Sequence, residues 1–115
     1  MAKNTSLIEY EECKLFKQWL DYQNMKYTHI VGEGNFPVQY HMKLQRVGFH
    51  KGVPDYMILV PNGICFVEMK RKRGGRIYPE QKEWVEALNK IEGVEAAICK
   101  GADEAIAFVS GILDS

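Results

Sequence analysis

The chain has 115 residues, 46% of them hydrophobic and 26% charged. That size allows one core and one domain, residues 1–115, and the composition excludes both a disordered chain and a two-lobed one. Fifteen basic and fifteen acidic residues cancel, so net charge makes no case for a polyanionic partner, yet five of the Lys and Arg fall between Lys70 and Arg76. Such a local patch is suited to phosphates.

No apolar run approaches the roughly 20 residues of a membrane span. The start, Met1-Ala2-Lys3-Asn4-Thr5-Ser6, leads into a charged helix without an apolar signal core. A cytoplasmic chain without membrane attachment is expected. Cys13, Cys65 and Cys99 are odd in number and form no C-x-x-C motif, which predicts buried thiols rather than disulfides or a zinc site.

Residues 7–21 carry Ile8, Leu15, Phe16, Trp19 and Leu20 at helical spacing, with Ser6 as N-cap. A short strand over 26–31 and a loop over 32–35 follow. Residues 38–47 read as a helix with Val38, Met42 and Leu44 or Gln45 inward, ended by Gly48. Two apolar runs, 55–60 and 64–70, flank Pro61-Asn62-Gly63 and should pair as a hairpin, because Asn-Gly favours tight turns. A basic glycine loop over 71–77 leads to a helix with Pro79 in its first turn and Trp84, Val85, Leu88 and Ile91 at helical spacing. Residues 94–100 read as a strand and 103–113 as a closing helix with Ala105, Ile106, Val109 and Leu113 inward. The order implies an α/β fold, a mixed sheet flanked by helices.

With Asn62-Gly63 as a two-residue turn, Leu59 opposes Phe66, Met57 opposes Glu68 and Asp55 opposes Lys70. Cross-strand partners share a face, so Asp55, Glu68 and Lys70 emerge together at the open end of the hairpin. A three-residue loop would turn Asp55 to the other face. Two carboxylates and an ammonium on apolar strands are costly unless a cation compensates. Magnesium suits carboxylate oxygens and can activate water beside a phosphate; Lys70 could orient that water or stabilise charge on the phosphoryl group. Two helical side chains point the same way. Glu12 shares the stripe of Ile8, Leu15 or Phe16, and Trp19, and Gln81 opens the stripe of Trp84 or Val85 and Leu88. His29 and His41 have no second histidine at ligand spacing and read as structural or surface residues.

Three segments carry a resemblance: Lys51-Gly52-Val53-Pro54-Asp55, then Val67-Glu68-Met69-Lys70, then Gly74-Gly75-Arg76-Ile77-Tyr78-Pro79-Glu80-Gln81-Lys82-Glu83-Trp84. With Glu11-Glu12 in the first helix and Gly101-Ala102-Asp103-Glu104-Ala105 near the end, the chain resembles the VRR-NUC (virus-type replication-repair nuclease) family of the PD-(D/E)xK nucleases over nearly its whole length. The resemblance implies a restriction-endonuclease-like core and phosphodiester cleavage of DNA with Mg²⁺ or Mn²⁺. It implies Asp55, Glu68, Glu12 and the Met69 carbonyl as metal ligands, Lys70 as catalytic lysine and Gln81 as the helix residue of the motif. It also implies a host-cytoplasmic setting if a phage encodes the chain. Cys13 stands where the family often has Gln, so Glu9 or Glu11 could take the place of Glu12. Tyr78 stands where Ser is usual, opening a base-stacking role. The family's Pro-Asn-Gly loop is replaced by Val31-Gly32-Glu33-Gly34-Asn35.

Arg71, Lys72, Arg73 and Arg76 are expected to grip DNA phosphates, with Lys51, Arg46 and His50 adding contacts. Small stand-alone members resemble junction-resolving enzymes, which act as two-fold dimers on branched DNA; a Holliday-junction-resolving homodimer is the expectation. A monomeric flap or nick nuclease, or a non-catalytic DNA-binding subunit, are the alternatives.

Overall fold

The computed structural model of the protein describes residues 5–30 and 37–115. Its elements are α1 (Thr5–Tyr22), β1 (Tyr27–His29), α2 (Val38–Arg46), β2 (Tyr56–Val60), β3 (Gly63–Lys70), α3 (Pro79–Asn89), β4 (Val94–Lys100) and α4 (Ala102–Leu113). They build the expected α/β arrangement, a four-stranded mixed sheet in the order β1-β2-β3-β4. The first three strands run antiparallel, and β4 joins β3 in parallel after the α3 crossover. Among the described residues, no helix is long and apolar enough to cross a membrane.

Alternation along the strands sorts the side chains into two layers. Tyr56, Ile58, Cys65, Val67, Met69 and Cys99 point to one face, where they meet Phe16 and Leu20 of α1 and Ala105 and Val109 of α4 in one buried cluster. α3 covers the other face beside β4. The thiols are free, as expected, with Cys65 and Cys99 buried and Cys13 half-buried.

The hairpin differs from expectation. Its central turn residues are Pro61 and Asn62, flanked by the pair Val60 and Gly63, so Met57 opposes Phe66 and Tyr56 opposes Val67. Proline cannot adopt the positive φ that a primed turn requires at its first position, but it suits the first position of a type II turn, whose second position Asn62 fills with φ of 67°. Gly63 is then needed for another reason. A Cβ there would collide with the Gly93 carbonyl oxygen, just where β3 passes the entry to β4.

Two helix readings are also corrected. Ser6 lies inside α1 rather than capping it. In α2 no residue is buried, and Val38 and Met42, expected inward, are exposed, because this helix is not seated on the sheet and partial burial falls instead on His41 and Leu44. The segment 31–36, which contains the Gly-Glu-Gly-Asn loop, lies outside the described residues.

The outer edge of β4 is occupied by side chains. Asn89, the last residue of α3, donates through Nδ2 to the Ala96 carbonyl at 3.0 Å and accepts the Ala96 N–H through Oδ1 at 2.8 Å. The Lys100 N–H is donated to Glu104 Oε1 at 2.9 Å, and the Val94 N–H to the Ile91 carbonyl at 3.1 Å.

Candidate active site

The shift in register is two residues, an even number, so the hairpin keeps its facial phase. Continued one step beyond the last ladder pair, it sets Asp55 beside Glu68 instead of Lys70. The Met69 N–H confirms the placement by donating to Asp55 Oδ2 at 2.8 Å. Glu68 and Lys70, two apart on β3, share that face, and the Lys70 ammonium stands 3.5 Å from Glu68 Oε2 with the two side chains only 9% and 5% exposed. The third contact comes from α3, where Gln81 donates through Nε2 to the same Glu68 oxygen at 3.2 Å. Gln81 is itself held, because its Oε1 accepts the Tyr78 N–H at 3.0 Å, closing one half of a capping box at the start of α3.

Burial, then the Asp55 charge, push the Glu68 carboxyl up to about 8, and Lys70 only partly offsets this. Burial also raises Asp55, against the Met69 N–H, which lowers it. Both carboxyls are thus pushed toward the protonated form, Glu68 in part by the Asp55 charge beside it. With the ammonium, the cluster is close to neutral, which is how two carboxylates survive inside a protein.

That arrangement fits a hard divalent cation. The donors are oxygens, both acids are held together, and a cation would compensate the carboxylate charge that burial disfavours. No third acidic, histidine or cysteine side chain closes on the pair among the described residues. Two carboxylates suit magnesium, which is bound through one or two and retains waters.

Glu12 is not brought to this cluster. It lies on the buried stripe with Phe16 and Leu20 as expected, but the stripe leads to α4, where Glu12 Oε1 accepts the Ala102 N–H at 2.8 Å. A Cβ on Gly101 would press this carboxylate at 3.1 Å. Glu12 is therefore the cap of α4, which otherwise begins with a glycine that has no side chain to offer. One turn earlier, Glu9 stands within electrostatic reach of Asp55, Lys70 and Arg71, and burial raises its carboxyl. Glu12→Ala is expected to cost about 1–3 kcal/mol of stability by orphaning a buried N–H, measured by denaturant unfolding. Glu9→Ala should instead leave the unfolding midpoint unchanged and slow cleavage. The opposite pattern would reinstate Glu12 as the helix-one ligand.

The basic residues divide. Arg71, pinned by donation to the Gly74 carbonyl at 2.8 Å, lines a cavity of about 240 Å³ with Glu9, Lys70, Arg76 and Tyr78. The Arg76 guanidinium lies 4.9 Å from the Tyr78 ring centre. Lys51 pairs with Glu80 at 3.2 Å and lines a second cavity, of about 340 Å³, with Gly52, Gln81 and Tyr78. Lys72 points to Asp103, 3.8 Å away, and Arg73 is exposed. Arg46, in the last turn of α2, is not among the residues lining either cavity. His29 packs edge-on to Tyr56, at 4.9 Å between ring centres.

The model of the VRR-NUC domain matches residues 9–103. The chain belongs to the VRR-NUC family. A solved structure described as a VRR_NUC domain protein superposes with a TM-score of 0.77 at 25% identity, over 99% of this chain and 92% of that one. No curated protein matches in sequence. The VRR-NUC match begins at Glu9, the carboxylate facing the cluster. It makes this chain a nuclease-type domain.

Proposed function

We propose that this VRR-NUC chain is a metal-dependent DNA endonuclease that hydrolyses phosphodiester bonds with Mg²⁺, accepting Mn²⁺, on branched DNA in the cytoplasm. The observation that carries the reading is the cluster of half-buried Asp55 with buried Glu68 and Lys70, since a module that only bound DNA would need the basic loop but not two carboxylates that repel phosphate. Asp55, Glu68 and the Met69 carbonyl would hold the ion, with Glu9 nearby. When bound, magnesium would lower the pKa of water and neutralise charge growing on the phosphate.

The chain's own residues supply the rest. Gln81 fixes the Glu68 carboxylate by its 3.2 Å contact, and the Met69 N–H fixes Asp55. Lys70, held 3.5 Å from Glu68, presents its ammonium where a phosphoryl oxygen gains charge; in a site largely closed to water this attraction is strong. Arg71 and Arg76 hold the flanking phosphate. Two copies acting as a homodimer would match the two symmetric cuts of a four-way junction and double a basic patch that is modest in one chain.

Labelled four-way junction, flap, nicked and single-stranded DNA incubated with Mg²⁺, Mn²⁺ or EDTA test this reading, with molar mass in solution alongside. Paired symmetric cuts that need metal, from a species of twice the chain mass, are expected. Cutting of flaps or nicks by a single chain would replace the junction assignment. Absence of cutting on every substrate would overturn the enzyme.

A further inference from the structure

Among the described residues, Tyr78 alone is shared by the linings of the two cavities beside the carboxylates. On one side, Lys70 and Arg76 stand 5.9 and 4.9 Å from its ring centre, beside Arg71. On the other side the lining changes character. Lys51 and Glu80 continue from the second cavity into a third, of about 500 Å³, walled by His50, Trp84 and Ala87 with Glu83 at its rim. Trp84 is fixed there, its indole N–H donated to the Lys51 carbonyl at 3.2 Å.

The third cavity does not suit phosphate, because Glu80 and Glu83 would repel it. It suits a flat aromatic group carrying amino donors. Glu80 Oε2 is shielded from water and has no hydrogen-bond partner, an acceptor left open where the second and third cavities meet. Tyr78 is 44% exposed, although its backbone is fixed to Gln81. It is a rigid, accessible face beside the cluster.

We propose that Tyr78 divides the substrate strand, taking the phosphate on its basic side and stacking an unpaired nucleobase on the other, with the groove walled by Trp84 receiving that base. The proposal rests on the nuclease reading and names its substrate class. DNA in which a base beside the scissile phosphate is already unpaired, at a branch, flap or single strand, is cut faster than the same sequence in continuous duplex, because the duplex must first be unstacked. Tyr78 acts as a positioning residue through stacking, which tolerates any base sequence.

The test uses the full chain and DNA carrying 2-aminopurine on either side of the scissile position, bound in EDTA. Quenching of its fluorescence at one of those positions is expected. Tyr78→Ser should abolish the quenching and raise KM about tenfold with little change in kcat, while Tyr78→Phe retains both properties. Ala87→Trp fills the groove without touching the carboxylates and should raise KM similarly. Absence of quenching at either position, or a Tyr78→Ser variant that behaves like Tyr78→Phe, overturns the proposal; an Ala87→Trp variant with wild-type KM overturns the groove. Quenching without any cutting in Mg²⁺ or Mn²⁺ would sink the nuclease reading and leave the stacking in place, and cutting without quenching would do the reverse.

Discussion

Lys70→Met is expected to lower the single-turnover cleavage rate by about three orders of magnitude or more and to leave the chain folded. The two halves of that result have separate causes. Catalysis loses the ammonium at the one place where phosphoryl charge would meet it in a closed site. Stability is largely spared because Glu68, already raised to about 8 by burial and Asp55, takes up a proton more readily still, and the charge that remains on Asp55 keeps the Met69 N–H. Methionine retains most of the length of the buried lysine stem. Asp55→Asn should show the same loss of rate with DNA binding retained, since an amide oxygen can still accept the Met69 N–H. A Lys70→Met rate within tenfold of wild type would remove Lys70 from the chemistry.

The second large effect is on stability against pH. In the folded chain Glu68 keeps its proton up to about 8, against 4.5 for the ordinary group. Between those values the folded state binds more protons than the unfolded one, so stability falls as pH rises through the window. The fall is a few kcal/mol for a shift of that size. Without divalent ions, the melting temperature should therefore decline from pH 5 to about 8.5. Mg²⁺ or Mn²⁺ should reverse the decline most strongly at the upper end, since binding requires the ionised carboxylates and releases the proton. Glu68→Gln should flatten the profile and abolish the response to metal. Thermal melts across pH, with and without the ion, read both. A metal response that survives in Glu68→Gln would place the ion elsewhere.

What could be read from the sequence was what depends on local pattern. The strand Val94–Lys100 and the inward residues Ala105 and Val109 of α4 follow from periodicity. The facial clustering of Asp55, Glu68 and Lys70 also came through, because a shift of two residues leaves alternation untouched. The register itself did not: Asn-Gly was a stronger local cue than Pro61, yet the fixed φ of proline sets the turn. Glu12 was assigned to the correct face of α1 and the wrong partner, since helical spacing reports which side is buried and says nothing of what lies opposite. That partner is an N–H some 90 residues away. Glu9 stood in the sequence only as one of two alternatives, with Glu11, because Cys13 occupies the position where the family often has Gln. α2 reads as amphipathic but presents Val38 and Met42 to solvent, because a pattern cannot reveal whether a surface is there to receive it. The division of the cleft by Tyr78 depends on three separate segments converging, and no spacing along the chain encodes that.

The side chain of Asn89 has a consequence for how copies of this chain can meet. A sheet edge with open amides is an invitation to add a strand, whether from a neighbour in a regular assembly or from a misfolded one. Here the Asn89 amide imitates one residue of such a strand, giving and taking one hydrogen bond with Ala96. The β4 margin is thereby blocked at Ala96 from within the same chain. Joining two subunits there into one continuous sheet would require α3 to release its last residue, which steers symmetric pairing toward helix surfaces or the short β1 margin. The same plug protects the apolar stretch of β4 from templated aggregation.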